Sequence, residues 1–164
     1  MTFATLRSKG VGDTQAVAGA VASLARAGDL VLLVGELGVG KTAFVQGFAR
    51  RLGVTVPVTS PTFTLVHRYE ATPVIHHVDV YRLDRLSELA DLGLPEMFEE
   101  GVTLIEWGDV VSPALPSDFL EIVLTYVDDT AVDDAAVDER DIAFRVVGGS
   151  WTGRVAALRR ALES

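Results

Sequence analysis

Polar and apolar positions alternate along Thr2 to Leu6, a period of two that predicts an opening strand. The pattern then changes: Ala16, Val17, Ala20, Val21 and Leu24 recur at helical spacing, and Asp13-Thr14 ahead of them are residue types that cap a helix. Leu30-Val31-Leu32-Leu33-Val34 is a continuous apolar run of strand length, the signature of a buried strand. Thr42 to Leu52 returns to helical spacing and turns Phe44, Val45, Phe48 and Leu52 to one side. Thr64 to Tyr69 and Val74 to Val80 read as two strands joined near Ala71-Thr72-Pro73, a hairpin pattern. Ser87 to Leu92 starts a short helix that Gly93 and Pro95 interrupt. Val102 to Ile105 is a further apolar strand, ending at Glu106-Trp107-Gly108. Phe119 to Val127 and Ile142 to Val147 form a late pair of strands, and Trp151 to Leu162 predicts a closing helix with Val155, Leu158 and Leu162 inward. Strands adjacent in sequence break any strict alternation of strand and helix, so the prediction is a mixed α/β sheet with some antiparallel strands.

Composition narrows the class. A chain of 164 residues has room for one domain, spanning 1–164, with a sizeable core. The absence of cysteine excludes disulfides, thiolate metal sites and cysteine nucleophiles. The aliphatic runs fall far short of the ~20 residues a membrane span needs. Met1 to Gly10 shows no basic region followed by an apolar one, so the expected location is the cytoplasm, with no membrane partner. Net charge is −9, and Asp128 to Asp141 alone holds seven acids against one base, Arg140. Grip on a nucleic-acid backbone comes mainly from cations, so a role touching RNA would need a partner to hold it.

The chemistry starts at Gly35-Glu36-Leu37-Gly38-Val39-Gly40-Lys41-Thr42, which satisfies G-x-x-x-x-G-K-[ST]. In that pattern backbone N–H groups of Glu36, Leu37, Gly38, Val39 and Gly40 can turn inward around phosphates. Lys41 reaches the terminal ones, and the Thr42 hydroxyl meets Mg²⁺. A buried strand before the loop and a helix after it supply the anion-binding context. The prediction is a P-loop NTPase-like mixed sheet flanked by helices in a single domain. Two acids, Asp79 and Glu106, follow apolar strands, where such folds deliver a carboxylate to the ligand edge. Which of them is nearer the metal is left open by the sequence. His76 and His77 are neighbours on a strand and point to opposite faces, so they cannot share one ion. Ser60-Pro61-Thr62-Phe63 is an extended entry to the next strand, with Thr62 as a hydroxyl suited to sensing a nucleotide. Arg140 either offsets its acidic neighbours or reaches in toward phosphate or base.

With these pieces in place the chain resembles the TsaE (YjeE) family. The resemblance rests on the Gly35–Thr42 loop, Ser60-Pro61-Thr62-Phe63-Thr64-Leu65, His77-Val78-Asp79-Val80-Tyr81-Arg82-Leu83 and Ile105-Glu106-Trp107. It implies an ATPase needed to make threonylcarbamoyladenosine next to the anticodon of tRNA. By resemblance Lys41, Asp79 and Glu106 are catalytic, and Thr42, Asp79 and Glu106 serve Mg²⁺. Asp79 looks like the Walker B acid and Glu106 like a second acid near Mg²⁺ and the attacking water. Thr62 falls in a switch-like segment, and Thr14, Trp107 and Arg140 are similar to nucleotide contacts. The implied cofactors are ATP and Mg²⁺. The implied partners are the transferase and its inactive paralogue as a heterodimer, with tRNA met only indirectly, and hydrolysis is expected to be weak without them. Among rivals, a GTPase commonly needs Asn-Lys-x-Asp, and this chain has no asparagine. A small-molecule kinase needs a basic lid, which Leu86 to Leu120 does not offer. A nucleotide-gated binding module overlaps with the ATPase reading and differs from it at Glu106.

Overall fold

The structure is a computed structural model that describes residues 1–61, 65–80, 88, 90–127 and 138–164, with only the backbone of residues 108 and 110. Its strands are β1 (Thr2–Ser8), β2 (Leu30–Val34), β3 (Val66–Tyr69), β4 (Val74–Asp79), β5 (Gly101–Glu106), β6 (Phe119–Tyr126) and β7 (Arg140–Val147). Its helices are α1 (Val11–Ala22), α2 (Lys41–Arg51), α3 (Leu94–Glu100), the single turn α4 (Gly108–Val111) and α5 (Val155–Glu163). The strands form one seven-stranded sheet in the order β1-β7-β6-β2-β5-β4-β3. β2 runs parallel to both its neighbours, β5 and β6, and β4 parallel to β5. β7 is antiparallel to β1 and to β6, and β3 to β4. The expected mixed α/β sheet is therefore present, hairpin and late strand pair included.

β2 explains why the apolar run was continuous. Val31 and Leu33 pack into a core beneath α1, α2 and α5, while Leu30 and Leu32 pack into a second core with Leu94 and Met97 of α3. A strand covered on both faces has no position for a polar residue. The sheet is tied to α5 by a buried pair. Arg154 donates to both oxygens of Asp29 at 2.7 Å, and its guanidinium stacks 3.9 Å from the Trp151 ring. Unpaired, either charge would be costly at that depth.

Several boundaries differ from those read in the sequence, and three have a clear physical reason. α1 begins at Val11 with Gly10 as its N-cap, so Asp13 and Thr14 lie inside the first turn and not ahead of it. The Asp13 carboxylate reaches back to accept the Lys9 backbone N–H at 2.9 Å, so a third-position acid secures the entry to a helix capped by glycine. Pro95 does not interrupt a helix but opens one, because the first turn of α3 leaves its N–H unpaired in any case. β7 starts at Arg140, two residues before the apolar run begins, because pairing with β1 and β6 extends past it. Thr64, and Ser87 and Leu89 of the predicted short helix, lie outside the described residues.

Helices α1 and α2 meet closely at Gly47, where an added Cβ would stand 2.4 Å from the Gln15 Cα. Gly47→Ala is therefore expected to lower stability by roughly 2 kcal/mol or more, read as a reduced urea midpoint. A second expectation concerns pH. Burial holds the His76 imidazole below its ordinary 6.5, with Glu100 opposing and Arg68 adding to the depression. Between that lowered value and 6.5 the unfolded chain binds more protons than the fold. The stability from neutral His76 is thus complete above that window and falls as pH drops through it. Unfolding midpoints at pH about 7.5 and 5.5 should differ less in His76→Gln than in the unaltered protein.

Candidate functional site

The parallel strands β2, β4, β5 and β6 all end on one edge of the sheet, and so does β1. That edge gathers Gly35 after β2, Asp79 ending β4, Glu106 ending β5 and Tyr126 ending β6. Because β7 runs the other way, its first residue Arg140 arrives at the same edge, opposite Tyr126 and Ser8. Carboxyl ends of parallel strands are where open α/β sheets bind ligands.

Gly35 must be glycine on contact grounds: its φ is 153°, and a Cβ would lie 2.5 Å from the Leu124 carbonyl oxygen. The loop it opens curls to Gly40, which caps α2 with φ 120°. Lys41, buried at the start of α2, folds back over the loop. Its Nζ donates to the carbonyls of Gly35 at 2.6 Å and Glu36 at 2.8 Å, and sits 3.9 Å from the centre of the Trp107 ring. Desolvation pulls the Lys41 ammonium below its ordinary value, while the carboxylates of Glu106, Asp79, Asp109 and Glu36 oppose it. Trp107 reaches this place through a left-handed backbone, φ 64°, and its N–H donates to the Leu33 carbonyl at 2.9 Å. A bulky residue in that region is unusual and marks a position held by its surroundings.

Asp79 and Glu106 are register partners on β4 and β5. Alternation puts them on one face of the sheet, the face that α2 covers. The Thr42 hydroxyl donates to Glu106 Oε1 at 3.0 Å, and the Ser60 hydroxyl donates to Asp79 Oδ2 at 2.8 Å. Glu106 is thus the acid in contact with Thr42, while Asp79 serves the Ser60 side. Among the described residues no group of three or more His, Cys, Asp or Glu could enclose a metal ion. Mg²⁺, however, is commonly held by one or two protein oxygens together with phosphates and water, and this donor set is all oxygen. The residues fit that kind of site.

Leu37, Gly38, Gly40, Lys41, Thr42, Ser60, Asp79, Glu106 and Trp107 line one cleft of about 590 Å³. Thr14 and Arg140 do not face into it. They border an adjoining depression of about 150 Å³ with Gly38, Val39 and Gly40. Thr14 is buried with its hydroxyl 2.7 Å from Ser8 Oγ. Arg140 donates to the Val39 carbonyl at 3.1 Å and lies 4.2 Å from the Tyr126 ring centre. The acids beside it, Glu139 and Asp141, are met by Arg7 from β1. Val39 itself is core, and Glu36 lends its carbonyl to Lys41. Thr62 lies outside the described residues.

A family model described as threonylcarbamoyl adenosine biosynthesis protein TsaE matches residues 8–134. The chain belongs to the TsaE family. Its relatives include the tRNA threonylcarbamoyladenosine biosynthesis protein TsaE of Bacillus subtilis, 42% identical over 85% of this chain and 83% of that protein. The protein of the same name from Treponema pallidum is 40% identical over 74% of this chain and 91% of its own length. The crystal structure of Bacillus subtilis YdiB superposes with a TM-score of 0.77 at 35% identity, covering 99% of this chain and 96% of that one. TsaE-family proteins take part in tRNA threonylcarbamoyladenosine biosynthesis. The family match spans the loop and both acids and ends before Arg140.

Three residues at this edge were missed by the sequence reading: Ser60, His77 and Tyr126. Tyr126 donates its hydroxyl to the Leu37 carbonyl at 3.2 Å and has no motif around it. Ser60 reads in the sequence as part of an extended entry to the next strand, and its partner Asp79 is 19 positions away. His77 did carry a signal, since it sits two residues before Asp79 and so on the same face of the strand.

Proposed function

We propose that this TsaE-family protein is a cytoplasmic P-loop ATPase that acts with Mg²⁺ on the transferase and paralogue heterodimer of the threonylcarbamoylation system. The observation carrying this reading is the Thr42–Glu106 contact, made beside Lys41 in a single cleft at the strand ends. Helix α2 begins at Lys41, so the glycine-rich loop presents its backbone N–H groups and the positive end of a helix to an anion. Lys41 supplies charge to the terminal phosphates once they displace the carbonyls it now holds. Mg²⁺ would be held by Thr42 with Glu106 behind it, and would neutralise charge on the phosphates. Asp79 and Glu106 orient the attacking water, with Ser60 fixing the Asp79 carboxylate.

Partner dependence is supported by charge. A net −9 chain does not grip tRNA, so contact with the RNA passes through other proteins. The stretch from Leu86 to Leu120 has neither lysine nor arginine, so it offers no arginine to complete the site.

Lys41→Ala is expected to weaken ATP binding roughly ten- to a hundredfold, the worth of a charge-assisted contact, measured by calorimetric titration. Glu106→Gln and Asp79→Asn should instead cut turnover about a hundredfold while changing ATP affinity far less. Equal losses of both would make these acids binding residues only. Mg²⁺-dependent hydrolysis should be low for the protein alone and rise clearly when the purified heterodimer of the same organism is added. Strong hydrolysis alone, or indifference to the pair, would overturn the proposal.

A further inference from the structure

His77 is fully buried, lies on the same face of β4 as Asp79, and has no part in the chemistry described so far. Its Nε2 is 2.8 Å from Glu106 Oε2, while Glu106 Oε1 accepts the Thr42 hydroxyl. With Glu106 as a carboxylate, which can only accept, the contact is made by the tautomer of His77 that carries its proton on Nε2. The other ring nitrogen, Nδ1, has no hydrogen-bond partner among the described residues. Buried polar groups nearly always find partners, and a histidine kept only for packing would be better replaced by an apolar ring. His77 leaves one nitrogen unmet and spends the other on Glu106.

We propose that His77 is a positioning residue that fixes the Glu106 carboxylate for cation binding at Thr42. A glutamate side chain has three rotatable bonds, and ordering it costs conformational entropy. His77 holds one of its oxygens in place, which leaves the other aimed at α2. Thr42 has a single hydroxyl proton, and giving it to Glu106 leaves both oxygen lone pairs free to ligate a cation. The row His77–Glu106–Thr42 therefore sets the direction of the Thr42 lone pairs from a residue that touches neither cation nor nucleotide. The register of the sheet makes this possible. His77 pairs with Leu104, so Glu106 is its diagonal neighbour two residues further along β5 on the same face.

This inference rests on the Mg²⁺–nucleotide reading. It is tested by titrating Mg²⁺ into the full-length protein with a fluorescent ADP analogue, and reading the Mg²⁺ concentration that gives half the response. Partners of a metal-binding carboxylate are commonly worth ten- to a hundredfold in metal affinity. His77→Leu should raise the half-saturating Mg²⁺ concentration about tenfold or more, with analogue affinity in EDTA within about twofold of the unaltered protein. His77→Gln, whose amide N–H can still donate to Glu106, should restore most of the loss. In a Glu106→Ala background, His77→Leu should add nothing further, because the contact it removes has already been lost. Should His77→Leu fail to fold, His77→Met takes its place against His77→Gln. A folded His77→Leu or His77→Met protein with unaltered Mg²⁺ dependence would overturn the inference alone. An unaltered protein that shows no Mg²⁺-dependent analogue binding would overturn the nucleotide reading along with it.

Discussion

Strand β2 has neither a free edge nor a free face, and the rest of the site depends on that enclosure. β5 and β6 pair with its two edges, while two hydrophobic cores cover its two sides. Its end point cannot shift without disturbing both cores, because packed interiors do not absorb small displacements. The glycine-rich loop therefore leaves from a fixed base. It is held afterwards from several directions, by Tyr126 at Leu37, Arg140 at Val39 and Lys41 at its own first two carbonyls. Even Trp107 is placed from β2, through the Leu33 carbonyl. A loop restrained this way presents its N–H groups in one arrangement and spends little ordering entropy on binding.

Charge in the cleft is arranged around a single lysine. Among the described residues Lys41 is the cation beside Glu36, Asp79, Glu106 and Asp109, and these acids oppose the burial that lowers its pKa. The ammonium rests on two carbonyls and an indole face, a set of acceptors weaker than a phosphate oxygen. The same acids would repel that phosphate unless a divalent cation stood between them. On the proposed reading, Mg²⁺ and nucleotide would each neutralise what the other meets in the cleft. The strain of a left-handed tryptophan, about 1–3 kcal/mol, is maintained where it holds the indole against this lysine.

The hydroxyls divide the acids between two tasks. Glu106 faces α2 through Thr42, and Asp79 faces the segment before β3 through Ser60. Leu65, the first described residue after Pro61, is also left-handed, and its carbonyl accepts the Asp79 backbone N–H at 2.9 Å. Among the described non-glycine residues, both left-handed positions therefore border the two acids. Local strain next to carboxylates fits a site shaped for ligand binding more than for stability alone.

Much of this architecture was legible from local pattern. The doubly buried β2, the glycine-rich loop, the hairpin and the late strand pair each carry a periodicity or composition that short-range physics dictates. The Gly35–Thr42 loop, Asp79 and Glu106 were found because their chemistry is written in contiguous residues. What the sequence could not order was decided by sheet register. Asp79 and Glu106 are 27 positions apart, yet the pairing of β4 with β5 makes them neighbours and gives Thr42 to Glu106. The reversed direction of β7 brings Arg140 to the loop, where it shares with Thr14 of α1 a depression beside the main cleft. Ser60, His77 and Tyr126 belong to the same group, since each is defined by a partner distant in sequence. Periodicity says which face a side chain takes. Only strand order and register say what stands opposite it, because hydrogen bonds between strands join residues whose separation along the chain carries no information.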